Sequence, residues 1–183
     1  MKNDIARILL SEKQLQNRVK ELAQEIARDY ANKNPTMVCI LKGAVVFYTD
    51  LLRNMPIPLS MDFMAVSSYG NKAKSSGEVE IRKDLSTSIE GKHVIIVEDI
   101  VDSGFTLSYI KRVLASRGAK SIALATLLDK PARRAPGITL KSDYSGFVIG
   151  DEFVVGYGLD YAERYRNLPY IGILKPEVYE HEN

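Results

Sequence analysis

A chain of 183 residues with 45% apolar and 26% charged side chains has enough material for one domain with a sizeable core, and its composition is not that of a disordered or fibrous protein. A net charge of +2 gives no basis for nucleic acid or an acidic membrane as partner, and no apolar run is long enough to cross a bilayer. The single cysteine, Cys39, rules out an internal disulfide, and two histidines, His93 and His181, argue against a histidine-based metal centre.

Met1-Lys2-Asn3-Asp4 has no signal-peptide pattern, which predicts a cytoplasmic protein. Ile5 to Leu10 is short and apolar and reads as an edge strand. Ser11-Glu12-Lys13-Gln14 is a capping box, and Leu15, Val19, Leu22, Ala23, Ile26, Ala27 and Tyr30 then fall on one helical stripe. After the break at Asn34-Pro35, Met37 to Leu41 reads as a buried strand carrying an inert Cys39; it ends at Lys42-Gly43. Ala44 to Asn54 reads as a helix stopped by Pro56 and Pro58, and Leu59 to Val66 as the next strand. The polar stretch Asn71 to Glu78, entered through Ser68-Tyr69-Gly70, reads as a mobile loop, and Val79 to Arg82 as its returning strand.

Glu90-Gly91-Lys92 turns the chain into Val94 to Val97, a β-branched run without polar alternation, expected of a strand buried on both faces. Two carboxylates, Glu98 and Asp99, follow as an acidic turn, then Asp102-Ser103-Gly104-Phe105-Thr106. Leu107, Ile110, Val113 and Leu114 next mark a helix, with Gly118 where a C-terminal cap belongs. Unpaired N–H groups at a helix start favour an anion, Gly104 lets backbone approach a phosphate, and Ser103 and Thr106 offer hydroxyls. Three carboxylates there make sense only with a cation, sugar hydroxyls or a transferable proton between them and the phosphate. Taken singly, Asp102 or Ser103 is an ordinary helix cap, and Glu98 and Asp99 are solvated strand-end charges. The run is neither a Walker loop nor a dinucleotide fingerprint.

Beyond it, Ser121 to Leu128 reads as a strand ending at Asp129-Lys130. Pro131 to Gly137 is a basic loop whose Arg133-Arg134 pair reads as solvated surface rather than a phosphate clamp. Phe147 to Gly150 and Phe153 to Tyr157 read as late strands, Asp160 to Asn167 as a polar turn, and Ile171 to Leu174 as the last strand. Alternating strands and helices imply an α/β fold with a parallel sheet, in which ligands bind beyond the carboxyl ends of strands. Lys42-Gly43, Glu98 to Thr106 and Asp129-Lys130 each follow a strand, so one sheet edge should carry them all.

Val94 to Leu107 resembles the phosphoribosyl pyrophosphate (PRPP) signature of the type I phosphoribosyltransferases, specifically their hypoxanthine-guanine branch. The resemblance runs from the first helix to about Leu174. It implies one domain over residues 1–183, with a central, mainly parallel sheet flanked by helices and a small hood from the terminal segments. It also implies transfer of ribose 5-phosphate from PRPP to a 6-oxopurine, hypoxanthine and also guanine, with release of pyrophosphate, in purine salvage.

The roles carried by the resemblance are these. Asp102, Ser103, Gly104, Phe105 and Thr106 match the 5'-phosphate cradle, and Asp102 also the general base or acid at purine N7. Phe105 is bulky there, but the family tolerates several residues at that position. Glu98 and Asp99 match the pair that engages ribose hydroxyls and magnesium, and Asp160 an acid near magnesium and the purine 2-position. Lys42 and Gly43 match the pyrophosphate turn, whose Leu41–Lys42 peptide can be cis, and Arg166 a second pyrophosphate contact. Ser68 and Tyr69 match a closing loop. Lys130 matches the donor to O6, a choice that disfavours adenine because an ammonium only donates. Phe153 matches the ring stacked on the base, and Val154 its backbone partner. Mg2+ is the implied cofactor, and a dimer or tetramer the implied assembly. A xanthine-preferring enzyme, or a PRPP-sensing regulator of the same fold, is the alternative.

Overall fold

His93–Val101 forms the central strand, β5, and every other element is placed by what lies beside it. The computed structural model describes residues 1–68 and 79–180. In chain order these form β1 (Ile5–Leu10), α1 (Glu12–Asp29), β2 (Thr36–Leu41), α2 (Val45–Arg53), β3 (Ser60–Ser68), β4 (Val79–Lys83), β5, α3 (Phe105–Ser116), β6 (Ser121–Asp129), β7 (Tyr144–Val148), β8 (Val154–Val155), β9 (Ile171–Leu174) and α4 (Pro176–Tyr179). The main sheet has the order β4-β3-β2-β5-β6-β7. All its pairings are parallel except that of β4, which returns antiparallel to β3 at the edge.

Alternation along the inner strands divides the core in two. Met37 and Cys39 of β2, with Ile95 and Val97 of β5, face α1 and α2, where they meet Leu22, Ile26, Phe47 and Leu51. Val38, Ile40, Val94 and Ile96 face the other way, onto Leu107, Ile110 and Leu114 of α3. Both faces are thus covered, which is why these strands carry unbroken apolar runs. Cys39 is wholly buried, and burial, followed by the nearby charges of Glu98 and Asp99, pushes its thiol up to about 12. Ser11 caps α1 in the predicted manner: its backbone N–H donates to Gln14 Oε1 at 2.9 Å, and its Oγ accepts from the Gln14 N–H at 3.4 Å. Gly118, at φ +77°, follows the end of α3 in the left-handed conformation glycine tolerates.

A second, antiparallel sheet of order β1-β9-β8 joins the two ends of the chain and forms the hood. Val155 of β8 and Leu174 of β9 pack with buried Tyr165 and Leu168.

Three expectations need correction. The run Phe153 to Tyr157 yields only the two-residue β8, which pairs in the hood rather than in the main sheet. Here Gly156 and Tyr157, at φ +101° and +50°, leave extended geometry at once. The strand expected at Phe147 to Gly150 begins three residues earlier, at Tyr144, because Ala125 of β6 pairs there. Glu98 and Asp99 do not form a turn; they lie within β5, which continues to Val101 because β6 keeps pairing with it through Val101 and Asp129. The expected loop Asn71 to Glu78 lies outside the described residues.

Candidate active site

Pairing between β2 and β5 stops at Cys39 and Val97, whereas β5 runs on beside β6 for four more residues. The β2 side of Glu98–Val101 is therefore open. Into that gap turns Leu41-Lys42-Gly43, and the result is a cleft of about 360 Å3. Lys42 and Gly43 line it from β2, and Glu98, Asp99 and Asp102 from β5 and its end. Ser103, Gly104 and Thr106 contribute the start of α3, and Asp160 and Arg166 the turn before β9. Ile40, Val66 and Leu107 add apolar wall. Of the predicted residues whose side chains are described, Phe105, Lys130, Phe153 and Val154 do not line this cleft.

Gly43 is required by contact. A Cβ built on it would lie 1.7 Å from Asp99 Oδ2, so only a glycine lets the carboxylate sit against the turn. Gly158, at φ +102°, backs the same turn; its Cβ would lie 2.1 Å from the Gly43 carbonyl oxygen. The Leu41–Lys42 peptide is cis, as the resemblance implies it can be. Lys42 Nζ reaches Glu163 Oε2 at 3.0 Å. Arg166 donates to the Gly158 carbonyl at 2.8 Å and pairs with Asp160 at 2.9 Å and Glu163 at 3.2 Å. Its Nε is buried and, among the described residues, has no partner. Glu163 thus ties together the two cations predicted for pyrophosphate, a role sequence reasoning missed. The one signal for it was its place three residues before Arg166 in a polar turn. Lys42, and after it Arg166, holds the Glu163 carboxyl below its ordinary range.

Glu98 and Asp99 sit side by side at the floor. Asp99 is passed over in the β6 ladder, and its N–H donates to Glu98 Oε1 at 3.2 Å. Burial, then the neighbouring Asp99 charge, pushes the Glu98 carboxyl well up; burial likewise raises Asp99. Such a pair is suited to a cation or to sugar hydroxyls, either of which relieves the repulsion. Asp160 is drawn to Arg166 instead, and among the described residues no three metal-ligating side chains gather in one place.

Gly104 at φ +83° caps α3, and Phe105 opens it with a side chain 49% exposed to solvent. On the far side of the strand ends, Lys130 is buried at 6% exposure, and its Nζ donates to the Glu152 carbonyl at 2.7 Å. That bond ties the end of β6 to the residue before Phe153. Phe153 stacks on Tyr179 of α4, centroids 4.9 Å apart and planes 20° apart, and meets Tyr161 edge-on at 5.7 Å. Val154 is buried in β8. Ser68 ends β3, and Tyr69 lies outside the described residues. Arg134, expected at the surface, has a side chain only 14% exposed.

Residues 8–162 match the family model described as the phosphoribosyl transferase domain. The chain belongs to that family. Among phosphoribosyltransferase relatives, the hypoxanthine-guanine phosphoribosyltransferase of Bacillus subtilis is 56% identical over 98% of this chain and 99% of its own length. The bifunctional protein TilS/HprT of Listeria innocua is 59% identical over 98% of this chain, which spans only 27% of that larger protein. A crystal structure of a hypoxanthine phosphoribosyltransferase from Staphylococcus aureus superposes with a TM-score of 0.94 at 52% identity, covering 98% of this chain and 96% of the other.

Proposed function

We propose that this phosphoribosyltransferase, acting as a single domain, transfers ribose 5-phosphate from PRPP to the 6-oxopurines hypoxanthine and guanine. The products are the nucleotide and pyrophosphate. One observation carries the reading: the loop at the start of α3, a cation-bearing turn and a carboxylate pair meet in a single cleft at the strand ends.

In this reading, Ser103, Gly104, Phe105 and Thr106 hold the 5'-phosphate through amides and hydroxyls at the start of α3. Lys42, Gly43 and Arg166 take the pyrophosphate. Glu98 and Asp99 hold the ribose hydroxyls, which fixes the sugar while its bond to pyrophosphate breaks. Asp102, whose side chain is 54% exposed at the mouth of the cleft, accepts the proton from purine N7 as the glycosidic bond forms. Lys130 donates to O6 after giving up its bond to the Glu152 carbonyl. Phe153 stacks on the base, Val154 meets its edge through backbone groups, and Asp160 approaches the 2-position. Ser68 and Tyr69 close over the site and exclude water.

The Glu98–Asp99 pair fits magnesium, an ion that prefers few carboxylates and keeps water and phosphate oxygens as its other ligands. Asp160, held by Arg166, would join only through water or after that ion pair opens. Bound magnesium offsets the charge of the pyrophosphate. We further propose a cytoplasmic homo-oligomer, dimer or tetramer, with no nucleic-acid partner; no described helix is long and apolar enough to cross a membrane.

A panel of hypoxanthine, guanine, xanthine and adenine, each assayed with PRPP with and without magnesium, tests the reading. Magnesium-dependent turnover of hypoxanthine and guanine is the expected result. Xanthine turned over faster than either would reassign the base. No turnover of any base, together with a mobility shift on nucleic acid, would sink the enzyme assignment. Sedimentation velocity checks the assembly.

A further inference from the structure

Three successive carbonyls in the loop after β5 are tied to residues that do not line the cleft. The Asp102 carbonyl accepts from a guanidinium nitrogen of Arg134. The Ser103 carbonyl accepts from the Ala135 N–H at 3.1 Å, and the Gly104 carbonyl from the Ser108 N–H, inside α3, at 3.0 Å. In a planar trans peptide the C=O and the following N–H point in opposite directions. Tying back these three oxygens therefore turns the N–H groups of Ser103, Gly104 and Phe105 to the other side. Among the described residues, the N–H groups of Ser103 and Gly104 have no internal acceptor, and Phe105 N is 3.5 Å from Ser103 Oγ, the edge of bonding distance. Consecutive amides facing one way form a concavity that binds anions.

Two of those ties are ordinary backbone bonds. The first depends on one side chain. The other guanidinium nitrogen of Arg134 pairs with Asp129 at the end of β6, and each of the two side chains is 14% exposed. The stem of Arg134 also supports the loop: a Cβ on Gly104 would lie 3.2 Å from Arg134 Cδ and 2.8 Å from Ile138 Cγ2. Arg134 thus bridges the carboxyl end of β6 to the loop at the carboxyl end of β5, and its planar fork sets two separate nitrogens on two acceptors in a fixed geometry that the single nitrogen of a lysine does not reproduce.

We infer that Arg134 is a positioning residue that aims the loop amides at the 5'-phosphate while its own side chain stays outside the cleft. The inference rests on the assignment of that loop to the 5'-phosphate. Arg134→Met keeps the stem and removes the fork. Arg134→Lys keeps a cation for Asp129, so the pairing that protects the fold survives. Calorimetric titration with inosine monophosphate should show both variants weakened about tenfold or more, with affinity for magnesium pyrophosphate held within about twofold, since one charge-assisted hydrogen bond is lost on the 5'-phosphate side only. A merely structural role would weaken both ligands together or neither, and either result overturns the inference. Thr106→Val tests the underlying assignment separately. If it weakens inosine monophosphate while the Arg134 variants do not, the inference fails alone. If it has no effect, the phosphate assignment fails and takes the inference with it.

Discussion

Of the residues proposed for the sugar phosphate, Asp102, Ser103, Gly104 and Thr106 come from five consecutive positions at the junction of β5 and α3. Of the residues proposed for the purine, Lys130 comes from the end of β6, Phe153 and Val154 from the entry to a hood strand, and Asp160 from the turn beyond. The first group is positioned by one strand–helix junction whose carbonyls are tied back to their neighbours. The second is held by separate contacts to different elements, such as Lys130 to the Glu152 carbonyl and Phe153 to Tyr179 and Tyr161. A site built on a rigid junction suits a constant group, the sugar phosphate. One assembled from separate elements suits a variable group, the base.

The two sides should respond differently to damage. The largest effect is expected at the proton acceptor: Asp102→Ala should cut kcat for nucleotide formation by about a hundred- to ten-thousand-fold, with little change in pyrophosphate affinity. Steady-state assay with hypoxanthine checks this, and wild-type turnover in the variant would remove Asp102 from its role. Gly43→Ala should come next, because its methyl group meets the Asp99 carboxylate. Overpacking of this kind costs about 1–3 kcal/mol, read as a lower urea midpoint, together with a rise in KM for PRPP. A variant as stable and as active as wild type would mean the two strand ends move apart freely.

Phe153→Leu should act on the purine side alone. Loss of an aromatic stacking contact worth about 0.5–1.5 kcal/mol predicts a two- to tenfold rise in KM for hypoxanthine and no change in KM for PRPP. A matched rise in both would show that the two sides are one mechanical unit.

The smallest effect belongs to neither side and serves as a control. Asp62 of β3 is 3% exposed; burial alone would raise its carboxyl, but N–H donors from Phe63, Ser86 and Thr87 outweigh that and hold it below its ordinary value. A carboxyl depressed in the fold contributes stability above its unfolded value, about 3.9, and loses it as pH falls through the lower folded value. The gap in urea midpoint between wild type and Asp62→Asn should therefore narrow as the solution is acidified below about pH 4, with activity at neutral pH unchanged. A gap independent of pH would show that the carboxylate charge is not what those donors hold.

Much of the main sheet was legible because β2, β5 and β6 each carry an apolar run. Met37 to Leu41 and Val94 to Val97 can bury both faces in only a few architectures. The loop from Asp102 to Thr106 was legible for a related reason: its residues are local, so spacing alone placed them together. The purine side was not. Phe153-Val154-Val155 has the composition of a core strand, and only the pairing of Val154 with Ile173 and Val155 with Gly172 sends it to the hood. Arg134 was missed because a basic residue between two prolines looks solvated until Asp129 and the Asp102 carbonyl are seen around it. The acidic pair was placed one element too late, since propensity favours a turn at Glu98-Asp99 and only the register with β6 keeps them in the strand.

Cys39 supplies a reporter that needs no engineering. Thiol-modifying reagents attack the thiolate, and at neutral pH this sulfur is both protonated and sealed between α1, α2 and the middle of the sheet. The native molecule should therefore be labelled only when β2 parts from its neighbours, so the rate of modification counts those excursions. Substrates that clasp the ends of β2 and β5 together should slow that count, giving a measure of site occupancy read from inside the core beneath the cleft.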